Sequence, residues 1–488
     1  MRGVVAAGHP LTVDAGAEVL RDGGNAVDAA VACVLMSFVS ESPLTGPGAG
    51  GFMLVHTAGG ENHLLDFFVA APGRGLDDRT PVDLTPIDVR FAEDAVQRFN
   101  VGPSSCGAYG TTAGLAEALE RFGTVPLSKL TERPAEAARA GVEVVPMQAF
   151  LFEVLEPIFR SSPECEAIYA PGGRLLKAGE RIRLPELGDL IERLGSEGPG
   201  FLYEGELANT VSDWVLERGG LLSREDLASY QVVEREPARV GYHGREVLTN
   251  PPPSSGGILV ADALGILERL ERPHGATVVA EVIASTNRAR DEEFVEGLAS
   301  EGYLERFLAK DALDSVATEV RSQLGNTTHV SVMDADGACA TVTCSNGSCS
   351  GVVVPGTGMH LNNMLGEQDL NPLGYHRNPP GVRVASMMAP TVVLGHDGRP
   401  ELALGSAGSN RIRSAILQTV LAVVDRGVAA EEAVASPRLH VEGSELDAEP
   451  GIDPAELDQL EERGWTVRRW AERNLFFGGV QAVARNPS

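Results

Sequence analysis

Two adjacent threonines, Thr327 and Thr328, stand at the head of an alternating segment, THVSVMD, directly after a Gly-Asn pair. A threonine hydroxyl is a weak nucleophile, and it becomes useful in catalysis only when a base lies beside it. Taken alone, the pair favours a structural role, because the branched Cβ of threonine suits a strand. Asp336-Gly337 predicts a turn after this strand, and ACATVTCS predicts the returning strand of a hairpin.

Cysteine and histidine are the other residue types that could carry chemistry. Cys339, Cys344 and Cys349 are spaced by five, which places neighbours on opposite faces of a strand, and the six cysteines include no Cys-x-x-Cys pair. We interpret them as small buried residues in a reducing compartment, and no local histidine motif supports a cysteine-based hydrolase. The ten histidines contain no His-Glu-x-x-His pair, so no metal mechanism and no cofactor are predicted.

The bulk composition is that of a soluble globular protein, with 488 residues, 43% of them hydrophobic and 22% charged. A formal net charge of −28 disfavours nucleic acid and anionic membrane surfaces as partners. The first twenty residues show no signal-peptide pattern, and no apolar run of about 18 residues predicts a membrane span. These features predict a cytoplasmic protein.

The elements that must position the threonines follow from periodicity and turn signals. The N-terminal segment predicts two helices separated by Gly23-Gly24, the second of them buried, and then two strands. The chain from Thr112 to Arg272 is mostly helical, and a loop rich in Pro, Gly and Asn spans 355–385. The C-terminal segment predicts strand, helix and strand. Strands at both ends and near residue 330, with helices between them, predict an α+β layered fold built as one unit.

Eight segments occur in an order that resembles the γ-glutamyltransferases (γ-glutamyltranspeptidases) of the N-terminal-nucleophile hydrolase superfamily. They are GGNAVDAAVA, GPGAGGFMLV, GGLLSREDLASYQVVEREPARVGYHGREVLTNPPPSSGG, TTHVSVMDADG, HLNNMLGE, SMMAPTVV, GSAGSNRI and FFGGVQAV. The resemblance implies a four-layer αββα sandwich that cuts itself before a threonine, which is Thr327 here. Cleavage of the Asn326–Thr327 bond would leave a large region, 1–326, and a small region, 327–488, as two associated parts of one intertwined unit.

The chemistry of a new N-terminus supports this role for Thr327. A free α-amino group has an unperturbed pKa of about 7.7–8.0, which suits a general base near neutral pH. It belongs to the same residue as the hydroxyl, so the two groups are held close together. In the uncut chain, the same hydroxyl can attack the carbonyl of Asn326 and form an ester that water then opens.

Further site residues carry over from the resemblance one position at a time. Ser345 falls where the family has a second threonine that hydrogen-bonds the nucleophile. Gly408 and Ser409 fall at a Gly-Gly pair whose backbone N–H groups form the oxyanion hole, a role that requires no particular side chain. Ser386 matches a serine that holds the substrate carboxylate, and Glu367 falls where an aspartate binds the α-amino group.

The pattern breaks at substrate recognition. Phe68 stands where the family has an arginine that pairs with the α-carboxylate of the glutamyl group, and Val69 replaces a glutamate. Removing such a partner costs roughly 2–5 kcal/mol of binding. Met364 replaces a polar residue, and Gly347 replaces an asparagine, although Asn346 lies next to it as a substrate-binding candidate.

The sequence therefore predicts a self-cleaving amide hydrolase or acyltransferase. Its substrate is a small acyl amide, either γ-glutamyl as in glutathione or, as Phe68 favours, a non-glutamyl acyl group handled by an acylase of the same fold. Another arginine, such as Arg74 or Arg383, is an alternative partner for the carboxylate. A catalytically inactive homologue is the remaining alternative, and intact Thr327, Gly408 and Ser386 argue against it.

Overall fold

The computed structural model describes most of the chain. The described residues are 3–77, 79–90, 96–270, 272–290, 292–298, 300, 302–309, 327–372 and 374–485. Twenty strands lie within these described residues: β1 (Gly3–Ala7), β2 (Gly50–His56), β3 (Asn62–Phe67), β4 (Thr85–Arg90), β5 (Val96–Val101), β6 (Val142–Glu143), β7 (Arg181–Ile182), β8 (Val233–Arg235), β9 (Ala238–Tyr242), β10 (Arg245–Thr249), β11 (Thr328–Asp334), β12 (Cys339–Ser345), β13 (Val353–Val354), β14 (Met359–His360), β15 (Thr391–Leu394), β16 (Pro400–Ala407), β17 (Leu439–Glu442), β18 (Glu445–Ala448), β19 (Thr466–Arg469) and β20 (Gly479–Ala484).

Helices occupy much of the remaining chain, and several short 3-10 turns connect them. The same described residues contain sixteen α-helices: α1 (Pro10–Asp22), α2 (Ala26–Ser40), α3 (Thr111–Phe122), α4 (Leu127–Ala140), α5 (Pro146–Phe159), α6 (Pro163–Tyr169), α7 (Pro185–Glu197), α8 (Glu206–Glu217), α9 (Arg224–Ala228), α10 (Ser255–Leu267), α11 (Ala276–Arg288), α12 (Glu292–Gly297), α13 (Tyr303–Ala309), α14 (Arg411–Arg426), α15 (Ala430–Ala435) and α16 (Pro454–Glu462).

Two sheets form the centre of the molecule. The first has the order β1-β11-β12-β2-β3-β8, and the second has the order β20-β16-β15-β10-β9. The sheets contact each other through β1, β11 and β12 on one side and β16 and β20 on the other. Helices α1 and α2 pack on the first sheet, and α10 and α14 pack on the second. The predicted α+β class and four-layer αββα sandwich are confirmed.

Helix α2 is the buried helix that the sequence predicted, and its ends are set by local hydrogen bonds. Gly23 adopts φ 103° after α1, a left-handed conformation that suits glycine. Asn25 accepts hydrogen bonds from the N–H groups of Val27 and Asp28, while Asp28 accepts one from Asn25 in return. All residues of α2 are buried. The helix therefore fixes Glu41, directly after its last residue, against the first sheet.

Strands β11 and β12 form the predicted hairpin at the middle of the first sheet. Thr328 pairs with Cys344, and the carboxylate of Asp334 accepts hydrogen bonds from the N–H groups of Asp336 and Ala338 in the turn. Strand β1 lies beside β11, and β2 lies beside β12. Two strands that follow the bond between residues 326 and 327 are therefore inserted between strands that precede it.

The C-terminal segment differs from its prediction. Strands β19 and β20 form as expected, but the predicted helix between them is a 3-10 turn, Leu475–Phe477. The side chain of Asn474 accepts a hydrogen bond from the N–H of Phe476, and Gly478 then reverses the chain at φ 82°. The two phenylalanines of this short turn are buried, and we attribute the absence of the predicted helix to their packing.

The six cysteines are buried and unpaired, as the sequence predicted. Burial raises the pKa of the Cys339 and Cys344 thiols to about 12, and that of Cys349 above its usual range. A reactive cysteine requires the thiolate, so these groups do not support a cysteine nucleophile. Of the helices in the described residues, none combines the length and the apolar character needed to cross a membrane.

Candidate active site

Thr327 lies directly before β11 at the meeting point of two clefts. Its exposed fraction is only 7%, and it lines both a small cleft, with about 290 Å³ of empty space, and a larger one, with about 1110 Å³. Thr328 pairs with Cys344 in the antiparallel ladder, and continuing that register by one residue places Thr327 opposite Ser345. The hairpin that the sequence predicted is therefore what brings these two hydroxyl residues together.

The small cleft brings together most of the residues that the sequence singled out. Its lining consists of Phe68, Thr327, Ser345, Gly347, Met364, Glu367, Leu370, Ser386, Met387, Met388, Ser409 and Ile412. These residues come from the position after β3, the position before β11, the end of β12 and the loop that follows it, the loop after β14, the segment before β15, and the turn before α14 with the first turn of that helix. Within the described part of the chain, this lining contains one ionisable side chain, Glu367, and no Lys, Arg or His.

The turn between β16 and α14 borders both clefts that contain Thr327, since Gly408 lines the larger cleft and Ser409 lines the small one. Gly408 has φ 121° and Ser409 has φ 50°, and among the described residues neither N–H donates a hydrogen bond to another protein group. A Cβ on Gly408 would lie 2.8 Å from the Cα of Gly478, so glycine is required there. The turn also precedes the N-terminus of α14, where the helix dipole favours negative charge. This arrangement can stabilise an oxyanion.

Glu367 is a buried carboxyl group held by the backbone. Its Oε1 accepts a hydrogen bond of 2.8 Å from the N–H of Ser348. Burial, together with the nearby charge of Asp369, raises the pKa of Glu367 to about 8. A Cβ at Gly347 would lie 2.6 Å from this Oε1, so the glycine leaves room for the carboxyl group. Glycine at 347 and the longer glutamate side chain at 367 therefore fit together at this point of the cleft.

Asp369 connects this loop to the turn at 408–409. The hydroxyl of Ser409 donates a hydrogen bond to its Oδ2. Burial raises the pKa of Asp369 to about 6, and the Ser409 hydrogen bond and the charge of Arg411 oppose that shift. The side chain of Ser409 therefore positions the turn and leaves its backbone N–H free to serve the cleft.

Ser386 is anchored to the N-terminus of α10. Its carbonyl oxygen accepts hydrogen bonds from the N–H groups of Ser255, at 2.9 Å, and Gly256, at 3.2 Å. Its hydroxyl oxygen accepts one of 3.0 Å from the N–H of Met388. That hydroxyl proton is therefore available to donate to a ligand in the small cleft.

Phe68 forms an apolar wall of the small cleft. The side chain is fully buried and stacks on Phe52 with ring centroids 5.3 Å apart. Neither alternative arginine lines this cleft, because Arg74 and Arg383 line a separate groove. Arg383 is also held by the carboxylate of Asp66, at 3.2 Å, and lies 4.5 Å from the ring centroid of Tyr230.

Glu41 is a site residue that the sequence analysis missed. It lines the larger cleft and accepts hydrogen bonds from the hydroxyls of Thr12, at 2.8 Å, and Thr328, at 3.2 Å. Burial raises the pKa of Glu41 to about 7, and both hydroxyls oppose that shift. Thr328 therefore serves the site by hydrogen bonding. No sequence signal joins Glu41 to Thr328, because 287 positions separate them.

Two predicted positions lie apart from the cleft or outside the described residues. Asn346 is fully buried, but it does not line the small cleft, and its side-chain amide donates to the carbonyl of Pro43. The structure therefore places it as a support of the loop after α2. Asn326, the residue before the predicted cleavage point, lies outside the described residues.

His329 has a structural role between the two sheets. Its Nδ1 lies 2.8 Å from the hydroxyl of Thr343, and its Nε2 lies 2.9 Å from that of Ser331. Burial lowers the pKa of His329 to about 3, so the ring is neutral at physiological pH. A Cβ on Gly405 would lie 2.3 Å from the ring, which shows how tightly the second sheet covers it. It is therefore not a general base for Thr327.

Comparison with known proteins decides the family. The family model for gamma-glutamyltranspeptidase matches residues 12–488. The chain belongs to the gamma-glutamyltranspeptidase family. It is 33% identical, over 511 aligned positions, to the acylase ACY 1 proenzyme of Pseudomonas sp. (strain SE83), covering 100% of this chain and 90% of that protein. It is 31% identical to the glutathione hydrolase proenzyme of Escherichia coli (strain K12), covering 96% and 86%.

A solved structure supports the same fold for this gamma-glutamyltranspeptidase family member. The cephalosporin acylase from Bacillus halodurans matches with a TM-score of 0.79 and 24% identity, covering 100% of this chain and 94% of that chain. The chain is an enzyme of this family, whose members include acylases and glutathione hydrolases.

Proposed function

We propose that this enzyme is a self-cleaving amide hydrolase or acyltransferase that uses Thr327 as an N-terminal nucleophile and prefers acyl groups lacking the α-carboxylate of glutamate. One observation carries the proposal. Thr327 shares a small cleft with Ser345 and Ser409, and the described lining of that cleft contains Phe68 and no cationic side chain. The nucleophile and the oxyanion donors of the family are kept, while the partner for the substrate carboxylate is replaced.

Maturation begins with attack of the Thr327 hydroxyl oxygen on the carbonyl carbon of Asn326. The C–N bond between the two residues breaks as the new C–O bond forms, and the Thr327 nitrogen takes a proton to become a free amine. Water then hydrolyses the ester, which leaves the carboxylate of Asn326 and restores the hydroxyl. The same hydroxyl is thereby freed for turnover.

In turnover, the α-amine of Thr327 accepts the proton of its own hydroxyl as the oxygen attacks the substrate amide. Negative charge develops on the amide oxygen, and the N–H groups of Gly408 and Ser409 donate to it. Collapse of this intermediate breaks the amide C–N bond, and the protonated α-amine returns its proton to the leaving amine. Water or an acceptor amine then releases the acyl group from the ester.

Substrate preference follows from the charges around the small cleft. A buried carboxylate without a cation loses hydration and gains no ionic partner, whereas an ammonium group can pair with Glu367. The cleft therefore suits an acyl chain that is apolar or carries a single positive charge. The 33% identity to the acylase ACY 1 proenzyme supports an acylase activity.

Hydrolysis of γ-glutamyl amides is the second candidate function. The observations that favour it are Glu367 in position for an α-amino group, the donor hydroxyl of Ser386 and the 31% identity to a glutathione hydrolase. This reading requires the α-carboxylate to bind by neutral hydrogen bonds alone.

Four anilide donors that differ only in charge separate the two candidates. They form two pairs: butyryl and glutaryl anilide, and 4-aminobutyryl and γ-glutamyl anilide. In each pair, the second donor is the first with one added carboxylate. We expect the carboxylate to lower kcat/KM at least about thirtyfold in each pair. In Phe68→Arg, the ratio of kcat/KM between the donors without and with the carboxylate should fall at least about tenfold. In the apolar control Phe68→Leu, that ratio should stay the same as in the natural enzyme. Equal kcat/KM within each pair in the natural enzyme would contradict the acylase proposal.

A further inference from the structure

Two histidines and one aspartate converge on the outer side of the second sheet. They are His243 in the turn between β9 and β10, His274 in the connection between α10 and α11, and Asp425 in the last turn of α14. One potential ligand atom from each lies within 4.8 Å of the other two. None of the three lines either cleft that contains Thr327, so the cluster has no part in the proposed chemistry.

The polar atoms of this cluster are buried without hydrogen-bond partners. These atoms are Nε2 of His243, both ring nitrogens of His274, and Oδ1 of Asp425. The side chain of His274 is 1% exposed and that of Asp425 is 5% exposed. Since a neutral imidazole carries one N–H and one lone pair, leaving both nitrogens of His274 unpaired in the interior is unfavourable. A bound cation would pair with a lone pair from each side chain.

Neighbouring groups already orient two of the three side chains. Glu268 lies 3.0 Å from Nδ1 of His243 and also accepts a hydrogen bond of 2.8 Å from its backbone N–H. The hydroxyl of Tyr242 donates a hydrogen bond of 2.8 Å to Oδ2 of Asp425. Metal-binding histidines usually have a carboxylate at their other ring nitrogen, and metal-binding carboxylates usually accept a further hydrogen bond. Glu268 and Tyr242 supply these two contacts here.

The surrounding charges also favour a cation. Glu268 follows the last residue of α10, and Asp425 lies in the last turn of α14, so two helix C-termini face the cluster. Arg272 is the competing group, with Nη1 at 3.6 Å from Oδ1 of Asp425. Its side chain is 44% exposed, so it can turn into water when an ion binds.

We propose that His243, His274 and Asp425 form a structural site for a divalent transition-metal ion, with Zn²⁺ as the preferred ion and water as the fourth ligand. Imidazole nitrogen suits Zn²⁺, whereas Mg²⁺ and Ca²⁺ prefer oxygen ligands. Tetrahedral ligands at about 2.0–2.1 Å from Zn²⁺ lie roughly 3.3 Å apart. Nε2 of His243 lies 3.6 Å from Oδ1 of Asp425, Nε2 of His274 lies 3.9 Å from its Oδ2, and one ligand atom from each side chain lies within 4.8 Å of the other two. Inward side-chain shifts of up to roughly 1.5 Å complete the tetrahedral spacing.

The test is titration of the purified, metal-stripped full chain with Zn²⁺ in competition with a chromophoric chelator. We expect one tight site per chain, with His274→Ala and the isosteric Asp425→Asn each weakening it at least about 100-fold. Glu268→Gln should weaken it about 10- to 100-fold, because it removes an orienting contact and no ligand. His63→Ala is the matched control, since His63 lies between Glu61 and Glu234 without a second histidine.

Two further readouts separate a metal site from a folding effect. Zn²⁺ should raise the Tm of the natural chain and of His63→Ala, but not that of the ligand variants, and Mg²⁺ should raise none. Co²⁺ bound in place of Zn²⁺ should give tetrahedral d–d bands without thiolate charge transfer, which excludes the cysteines as ligands. Equal Zn²⁺ affinity in the natural chain and in both ligand variants would overturn the proposal and leave the cluster with its protein contacts to Glu268, Tyr242 and Arg272 alone.

Discussion

Glu41 is a buried side chain that connects helix α2 to the residue after the proposed nucleophile, Thr327. It follows α2 and accepts a hydrogen bond from Thr328, the residue after Thr327. Its pKa is raised from 4.5 to about 7, and burial is the main cause. The folded state therefore binds a proton more tightly than the unfolded state does, and the associated stability is lost as pH rises from about 4.5 through 7.

The Glu41→Gln substitution tests this linkage. Both proteins carry Thr327→Ala, so that each is expected to remain one continuous chain. The free energy of unfolding of the Glu41→Gln protein minus that of its parent should rise by about 2–3 kcal/mol from pH 5 to pH 8. Urea unfolding at several pH values measures it. Glu61→Gln, at an exposed glutamate, is the control. A difference between Glu41→Gln and its parent that does not change with pH would show that the carboxyl ionises normally.

Among single residues, the sequence identified those that belong to a recognisable motif. It missed those whose role depends on contacts with residues far away in the sequence. Thr327, Ser345, Glu367, Ser386 and Ser409 could be aligned by motif, and the structure places all five in one cleft. Glu41 and Asp369 could not be found, because their partners lie far away in sequence. Asn346 was predicted to bind substrate because it lies next to Gly347, but its side-chain amide donates a hydrogen bond to the carbonyl of Pro43.

The turn between β16 and α14 is the element that we propose for oxyanion stabilisation. Its backbone has positive φ at Gly408 and Ser409, and among the described residues neither N–H donates a hydrogen bond to another protein group. The Ser409 side chain only anchors the turn through Asp369. Backbone and side chain therefore have separable roles.

Two substitutions in this turn separate those roles. Gly408→Pro removes one N–H and cannot adopt φ 121°, so kcat should fall at least about 10²–10³-fold. Ser409→Ala keeps its N–H and should lower kcat by less than about tenfold. Turnover of a good anilide donor measures both, with circular dichroism to confirm the fold. Near-normal kcat in folded Gly408→Pro would place the oxyanion donors elsewhere.

Elements with strong local signals were predicted well. Gly23, the Asn25 capping box and the Asp336-Gly337 turn set the ends of α1, α2 and the β11–β12 hairpin through contacts within a few residues. The turn at 475–477 was not predicted, because burial of its two phenylalanines against distant elements outweighs local helix preference.

In the whole molecule, the first sheet combines strands from the two predicted fragments, with the β11–β12 hairpin inserted between β1 and β2. Strands β1, β2, β3 and β8 come from 1–326, whereas β11 and β12 come from 327–488. The layers could be predicted only through the family resemblance, since periodicity gives no strand order. Backbone hydrogen bonds and a shared core between the sheets therefore join the two regions.

The two fragments should consequently stay associated after cleavage. They should elute together at one position in size-exclusion chromatography at neutral pH and separate only in denaturant, because parting them would open the ladders on both sides of the β11–β12 hairpin. The uncut Thr327→Ala chain is the size standard. Separation of the fragments in native buffer would show that they are not one structural unit.

The most direct measurement of the central claim is the N-terminal sequence and intact mass of purified natural protein, Thr327→Ala and Thr327→Ser. We expect two fragments in the natural protein, the smaller beginning at Thr327, because the Thr327 hydroxyl cuts the bond before it and the free α-amine then serves as base for that hydroxyl. Thr327→Ala should remain one inactive chain, and Thr327→Ser should retain part of both cleavage and turnover. Cleavage of Thr327→Ala at the same bond, or full activity in an uncut natural chain, would contradict the assignment of Thr327 as the nucleophile.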